Sequence, residues 1–272
     1  FGVSHSMDVD AKFPAGLFEG KTILVTGGTG SFGGYFIDYL LDKNFKVYGV
    51  SRSKEIKKVH LSYKKNKKLK NFKFFRINLN LRKDIYRLIQ IVKNQKIQYI
   101  ANFAAQGMVA ESWIKPEDWY FTNVVSNSIL IKELSKLKIK KYLNFSTPEV
   151  YGNTSSLMKE SNIFAPTTPY AISRSAQDFN LLAHFKTFNF PVTFTRAANI
   201  YGPYQQSYRI IPKIIISILT NKKIPIHGRG NTLRSFIYML DVSRALYKIL
   251  LDKKNLGQTF HISTKKFISI LD

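Results

Sequence analysis

Lys21-Thr22-Ile23-Leu24-Val25-Thr26-Gly27-Gly28-Thr29-Gly30-Ser31-Phe32-Gly33 is the stretch on which the fold turns. Lys21 to Thr26 is a short β-branched, apolar run that stops at glycines, and from Tyr35 to Leu41 apolar residues recur at helical spacing. The segment reads strand, turn, helix. Gly27, Gly30 and Gly33 give the spacing G-x-x-G-x-x-G, a variant of the G-x-G-x-x-G turn that joins a strand to a helix. A helix N-terminus offers free N–H groups and the positive end of its dipole to a doubly charged pyrophosphate, provided that no side chain intrudes. The turn therefore predicts a bound dinucleotide, with Gly27, Thr29, Gly30, Ser31, Phe32 and Gly33 at its phosphates. A tight strand-to-helix turn without a ligand is the competing reading.

Phe45-Lys46-Val47-Tyr48-Gly49-Val50 reads as the second strand. Its end lacks the acidic residue that would accept bonds from a ribose 2′-hydroxyl. Ser51-Arg52-Ser53 stands there instead, and a guanidinium flanked by hydroxyls suits a 2′-phosphate. Ser51 and Arg52 thus point to NADP, with NAD as the alternative. Further strands are expected at 72–77, 99–103, 141–145 and 192–195, and helices at 85–92, 124–137 and 171–188. Strands alternating with helices imply an α/β fold, a doubly wound parallel Rossmann sheet.

Beyond Thr195 the alternation loosens. Tyr201-Gly202-Pro203, Ile224-Pro225 and Gly228-Arg229-Gly230 punctuate a region with one clear helix, Ile210 to Leu219. Residues 18–198 with 231–262 are expected to form the dinucleotide-binding domain. Residues 199–230 with 263–272 are expected to form a smaller C-terminal substrate lobe.

With 272 residues and 44% apolar composition the chain can bury a large core. The formal charge of +25 raises the question of nucleic acid or an anionic membrane. The lysines are spread along the whole chain, however, and even the densest run, Lys54 to Lys73, reads as a solvated surface. No specific nucleic-acid partner is expected. The absence of cysteine excludes disulfides, thiol catalysis and cysteine-ligated metal, and no metal site is expected. No apolar run approaches the roughly 20 residues of a membrane span, and the N-terminus lacks the plan of a secretory signal. The expectation is a cytoplasmic protein without membrane contact.

Three further segments carry a resemblance: Asn102-Phe103-Ala104-Ala105-Gln106, running on to Ser112-Trp113 and Pro116; Ser146-Thr147-Pro148-Glu149-Val150-Tyr151-Gly152; and Pro169-Tyr170-Ala171-Ile172-Ser173-Arg174. Arg196-Ala197-Ala198-Asn199-Ile200-Tyr201-Gly202-Pro203 and Arg234-Ser235-Phe236-Ile237, followed by Asp241-Val242, continue it in order. From about Phe18 onward the chain resembles the extended short-chain dehydrogenase/reductase family, in particular its nucleotide-sugar 4,6-dehydratases and epimerases.

The resemblance implies a nucleotide-sugar substrate, a homodimer, and a nicotinamide cofactor also contacted by Asn78, Leu79, Ala104, Ala105, Gln106 and Asn123. It makes Tyr170 the acid/base at the sugar 4-hydroxyl, and Thr147 the hydroxyl that bonds the substrate oxygen. A phenol of pKa about 10 needs a nearby cation to act as a base at neutral pH. The family has lysine four residues after the tyrosine; here it is Arg174, which can stabilise a phenolate and bond the cofactor ribose but cannot relay protons. Glu149 matches the base that removes the C5 proton in dehydratases. The neighbouring position, often an acid for the departing 6-hydroxyl, is Pro148 and can donate nothing. Asn199 and Arg234, with Arg209 as a weaker candidate, match positions that hold the substrate diphosphate.

The expected activity is NDP-hexose 4,6-dehydration, with 4-epimerisation or decarboxylation as alternatives. A catalytically decayed nucleotide-binding protein is the alternative from another class, motivated by Arg174, Pro148 and the charge. Family members usually continue beyond the position of Asp272, so part of the substrate lobe is expected to lie outside this sequence.

Overall fold

The computed structural model describes residues 21–56, 58–154, 157–224, 230 and 232–271. Pro225, Gly228 and Arg229 of the expected punctuation lie outside the described residues. Seven strands form one sheet in the order β3-β2-β1-β4-β5-β6-β9. They are β1 (Thr22–Thr26), β2 (Lys46–Ser51), β3 (Phe72–Arg76), β4 (Tyr99–Asn102), β5 (Lys141–Ser146), β6 (Val192–Ala197) and β9 (Thr259–Ile262). Every pair is parallel. The doubly wound parallel sheet is as expected.

A parallel sheet needs helices on both faces, so its central strands carry apolar residues in both directions. One face buries Ile23, Val25, Val47 and Leu143 under Phe36, Ile37, Leu40 and Leu41 of α1 (Ser31–Asp42) and Val242, Leu246 and Ile249 of α7 (Met239–Leu251). The other buries Leu24, Tyr48, Val50 and Tyr142 under Ile85, Leu88 and Val92 of α2 (Arg82–Asn94). Leu130, Ile131 and Leu134 of α4 (Asn127–Leu134) and Leu181 of α5 (Pro169–Phe188) complete that face. Fully burying each such side chain contributes roughly 1.5–3 kcal/mol.

Three features differ from the sequence reading. The expected helix at 124–137 is composite: α3 (Pro116–Tyr120), a π-helical stretch Phe121–Ser126, then α4. The region after β6 contains a second helix besides α6 (Ile210–Leu219), namely α7, whose Val242, Leu246 and Ile249 repeat at helical spacing. Finally, β7 (Asn199–Tyr201) and β8 (Phe236–Tyr238) pair with each other in a separate two-stranded sheet.

Candidate active site

Ligands of open α/β sheets bind outside the C-terminal ends of the strands, where the strand order reverses. Here that point lies between β1 and β4, and a cleft of about 350 Å³ opens there. Gly27, Thr29 and Gly30 form its floor, Ser51 and Arg52 lie at the end of β2, and Asn78 and Leu79 follow β3. Ala104, Ala105 and Gln106 close it from the end of β4.

The glycines are required by geometry. Gly27 has φ +70°, and its carbonyl accepts the Gly30 N–H at 2.9 Å. A Cβ on Gly27 would lie 3.0 Å from the Ala104 nitrogen, and one on Gly33 would overlap the Gly27 carbonyl oxygen. Gly30 caps α1 without a side-chain bond, and the first turn carries no acidic residue. Its N–H groups and dipole therefore face the cleft unopposed by a carboxylate. This cradle fits a dinucleotide pyrophosphate. Phe32 contributes only backbone here, because its ring packs at 5.3 Å from both Phe103 and Phe145. Ser31 donates to Gln206 Oε1 at 3.2 Å, which ties the segment before α6 to the helix start.

Ser51 Oγ accepts the Thr29 N–H at 3.0 Å, linking the end of β2 to the glycine turn. Arg52 is exposed at the cleft rim. Asn78 Oδ1 accepts the Asn80 N–H at 3.1 Å and keeps its second lone pair. Asn123 stands apart from the cleft lining. It is buried, accepts from the Gln106 N–H at 2.9 Å, and donates to the Gln106 carbonyl at 3.0 Å and to Ser173 Oγ at 2.9 Å. Its place is behind the loop that Gln106 belongs to. Sequence reasoning missed Asn80 and Thr122, which also line the cleft and bond each other at 3.0 Å. Asn80 could have been found from its place just after β3, whereas Thr122, in the π-helical stretch, carries no such signal.

Beyond the cleft, a polar chain crosses the sheet. Thr26 Oγ1 donates to Asn102 Oδ1 at 2.7 Å, Asn102 Nδ2 to Asn144 Oδ1 at 3.2 Å, and Asn144 Nδ2 to Asp178 Oδ1 at 2.9 Å. At the end of β5, Thr147 caps a single 3-10 turn, Pro148–Tyr151, and accepts the Glu149 N–H at 3.3 Å. Pro148 occupies the first position of that turn, where an N–H would have no intrahelical partner. Thr168 caps α5 by accepting the Ala171 N–H at 3.1 Å, which sets Tyr170 in the first turn of that helix.

Arg174, one turn along α5, is 2% exposed and donates from one Nη to the Phe145 carbonyl. Its Nε and other Nη have no partner among the described residues. Two unpaired buried donors are unfavourable by about 1–3 kcal/mol each unless something accepts from them. Cofactor ribose hydroxyls or the Tyr170 phenolate are acceptors of the right kind. Arg174 also acts on Tyr142, whose phenol is raised by burial and drawn partly back by Asn127 and then by the guanidinium.

The expected substrate residues lie outside the cleft lining. Asn199 Nδ2 donates to the Ser235 carbonyl at 3.2 Å, which joins β7 to the segment carrying Arg234. Arg234 is exposed, and its backbone pairs with Ile268. Arg209 is exposed at the N-cap of α6. The described residues hold no group of His, Cys, Asp and Glu arranged for a metal, and no helix among them is long and apolar enough to cross a membrane.

A doubly wound sheet with a glycine turn at its switch point, and a tyrosine with a buried cation one turn later on α5, define a dinucleotide-binding protein of the short-chain dehydrogenase/reductase type. The chain belongs to the NAD dependent epimerase/dehydratase family, which residues 23–263 match. It is similar to a dTDP-D-glucose 4,6-dehydratase of Dictyostelium discoideum, 35% identical over 93% of this chain. It spans 60% of that relative's length. Among solved structures it is similar to dTDP-glucose 4,6-dehydratase from Bacillus anthracis in complex with NAD. That likeness has 28% identity and a TM-score of 0.81, covering 92% of this chain and 78% of that one. It is also similar to UDP-glucuronic acid 4-epimerase from Bacillus cereus in complex with UDP-glucuronic acid and NAD. Here the identity is 27% and the TM-score 0.79, over 92% of this chain and 80% of that one.

Proposed function

We propose that the protein is an NDP-hexose 4,6-dehydratase that converts a nucleotide-sugar into its 4-keto-6-deoxy form. The observation that carries this reading is Glu149, held in the Thr147-capped turn at the end of β5. A carboxylate there is what dehydration needs and simple 4-epimerisation does not. A bound nicotinamide supplies reversible hydride acceptance, so the reaction consumes no cofactor overall. Tyr170 takes the proton of the 4-hydroxyl, and Arg174, one turn later on α5, carries two buried donors free to bond the cofactor ribose. Thr147 Oγ accepts from Glu149 N–H and keeps its own proton to donate to the substrate oxygen. Glu149 then removes the C5 proton, made acidic by the neighbouring ketone, and the 6-hydroxyl leaves as water; return of the hydride to C6 and of a proton from Glu149 to C5 would complete the 4-keto-6-deoxy product. Because Pro148 has no proton to give, water or another hydroxyl protonates that leaving group. Incubation with dTDP-glucose, the substrate named by the similar dehydratases, and with its UDP and GDP counterparts tests the reading. A 4-keto-6-deoxy product that disappears in Glu149→Gln supports it.

Pro148 is also the observation that favours a second reading, 4-epimerisation, in which no leaving-group acid is required. For the cofactor we favour NADP. Ser51 and Arg52 line the cleft where a ribose 2′-substituent belongs, and none of its lining residues is acidic. The comparison structures hold NAD, so a competition titration decides between the two. We assign the substrate diphosphate to Asn199, Arg209 and Arg234, and the substrate lobe to residues 199–230 with 263–272. The exposed apolar side chains Phe121 and Val125, with Ile172 and Phe179 of the adjoining α5, support a homodimer through this face. The cysteine-free composition is compatible with the cytoplasm.

A further inference from the structure

The turn that carries Glu149 ends at Tyr151, a buried residue for which the proposed reaction has no use. Its hydroxyl is the meeting point of a continuous hydrogen-bonded chain. Arg196 on β6 donates to Tyr151 Oη at 2.6 Å, and the Ser161 N–H donates to it at 3.2 Å. Both lone pairs of the phenol oxygen are therefore filled. Its single proton has two acceptors within reach, His261 Nε2 on β9 at 2.8 Å and the Ser161 carbonyl at 3.3 Å, and the shorter contact is to the imidazole. The guanidinium of Arg196 also stacks on the Tyr151 ring at 5.0 Å and is held from behind by Asp178 at 2.9 Å, a pair that is almost wholly buried.

With both lone pairs of the phenol engaged, the neutral imidazole is the form that completes this contact, as an acceptor. Nε2 accepts, so the ring is neutral and its proton sits on Nδ1, facing Glu160 at 4.0 Å. The Glu160 carboxylate also accepts the His261 backbone N–H at 2.9 Å. Protonating Nε2 would aim a third donor at an oxygen with no lone pair left. The charged groups around the ring are Glu160, from the segment after the turn, and Arg196, from β6. Burial depresses the imidazole pKa, Glu160 opposes that shift and Arg196 adds to it.

We propose that Tyr151 is the positioning residue for Glu149, locked in place by Arg196 and by His261 in its neutral form, so that protonating His261 releases the turn. This rests on the reading of Glu149 as the base. The turn has no slack of its own: Gly152 closes it at φ +71° with its N–H on the Glu149 carbonyl at 3.1 Å, and the Ala165 N–H caps Val150 at 3.0 Å. A shift at Tyr151 is therefore passed to Glu149 two residues away.

The sign of the pH effect follows. With its folded pKa below the unfolded value of about 6.5, His261 binds fewer protons when folded, so the locked state weakens as pH falls below that value. The test is amide hydrogen exchange at Gly152 from pH 5 to 8, after correction for the intrinsic rate, together with kcat and KM for whichever nucleotide-sugar the protein turns over. Tyr151→Phe should raise Gly152 exchange by about tenfold and lower kcat with KM unchanged. His261→Gln keeps an oxygen acceptor that does not titrate, and should abolish the acid-side rise in exchange and flatten the acid limb of kcat. Wild-type exchange and kcat in Tyr151→Phe, or an unchanged acid limb in His261→Gln, overturns the proposal. Should Tyr151→Phe fail to fold, His261→Gln alone decides. If no nucleotide-sugar is turned over, the functional reading fails, while the exchange data still test the lock.

Discussion

Replacing Gly33 by alanine tests the cofactor cradle at its tightest point. The new Cβ would overlap the Gly27 carbonyl oxygen and come within 3.1 Å of the Gly27 carbonyl carbon. Neither side can yield easily. The Gly30 N–H is bonded to that same carbonyl at 2.9 Å, and the Gly34 N–H to the Gly30 carbonyl at 2.8 Å, so the turn and the first turn of α1 move as a unit. Overpacking of this kind costs roughly 1–3 kcal/mol, which corresponds to about tenfold to a hundredfold weaker dinucleotide binding if it falls on the bound geometry. Gly107→Ala is the control. It follows Gln106 in the loop across the cleft, yet a Cβ there has nothing within 4 Å. Fluorescence titration with NAD and NADP, with thermal melts of the free proteins, separates affinity from stability. If Gly33→Ala binds like wild type, or Gly107→Ala loses as much, the reasoning about the turn is wrong.

Arg52→Ala should weaken NADP by about tenfold, the contribution of a charge-assisted bond of roughly 1.5 kcal/mol, and leave NAD nearly unchanged; equal losses for both would remove Arg52 from the 2′-phosphate. Arg174→Lys should lower kcat rather than raise it, because the shorter side chain loses the planar fork that reaches the Phe145 carbonyl. A gain of activity would instead identify Arg174 as a decayed lysine. Asp178→Asn should cost about 3–5 kcal/mol of stability, since it leaves the Arg196 guanidinium buried and unpaired, and chemical denaturation measures it. Lys141→Met should destabilise by about 3 kcal/mol or more without touching dinucleotide affinity, because Lys141 Nζ donates to the Ile249 and Asp252 carbonyls and to Asn255 Oδ1, all left without that donor.

The sheet was legible because parallel strands buried on both faces are continuous apolar runs, and because glycines mark where the first one ends. Val47, Tyr48 and Val50 show this: successive residues face opposite cores, so no alternation hides the strand. The cofactor cleft was legible for a related reason, since its lining, Thr122 apart, consists of residues at strand ends. The region after β6 was harder. In β7 and β8 three residues each suffice for a small sheet that draws on long-range pairing rather than local pattern. Thr122 lines the cleft from the π-helical stretch, and no spacing rule in the sequence announces that stretch. The lock on Tyr151 was out of reach for the same reason: Tyr151, Arg196 and His261 are separated by 45 and 65 positions and meet only once β5, β6 and β9 lie side by side.

The most direct measurement is the fate of the C5 proton and the C6 hydroxyl when the protein is given dTDP-glucose and its UDP and GDP counterparts in deuterated water. Wild-type protein should yield a 4-keto-6-deoxy sugar nucleotide carrying solvent deuterium at C5, and Glu149→Gln should stop at the cofactor-reduced stage without releasing it. Formation of a C4 epimer with the C5 proton retained, unaffected by Glu149→Gln, would contradict the account.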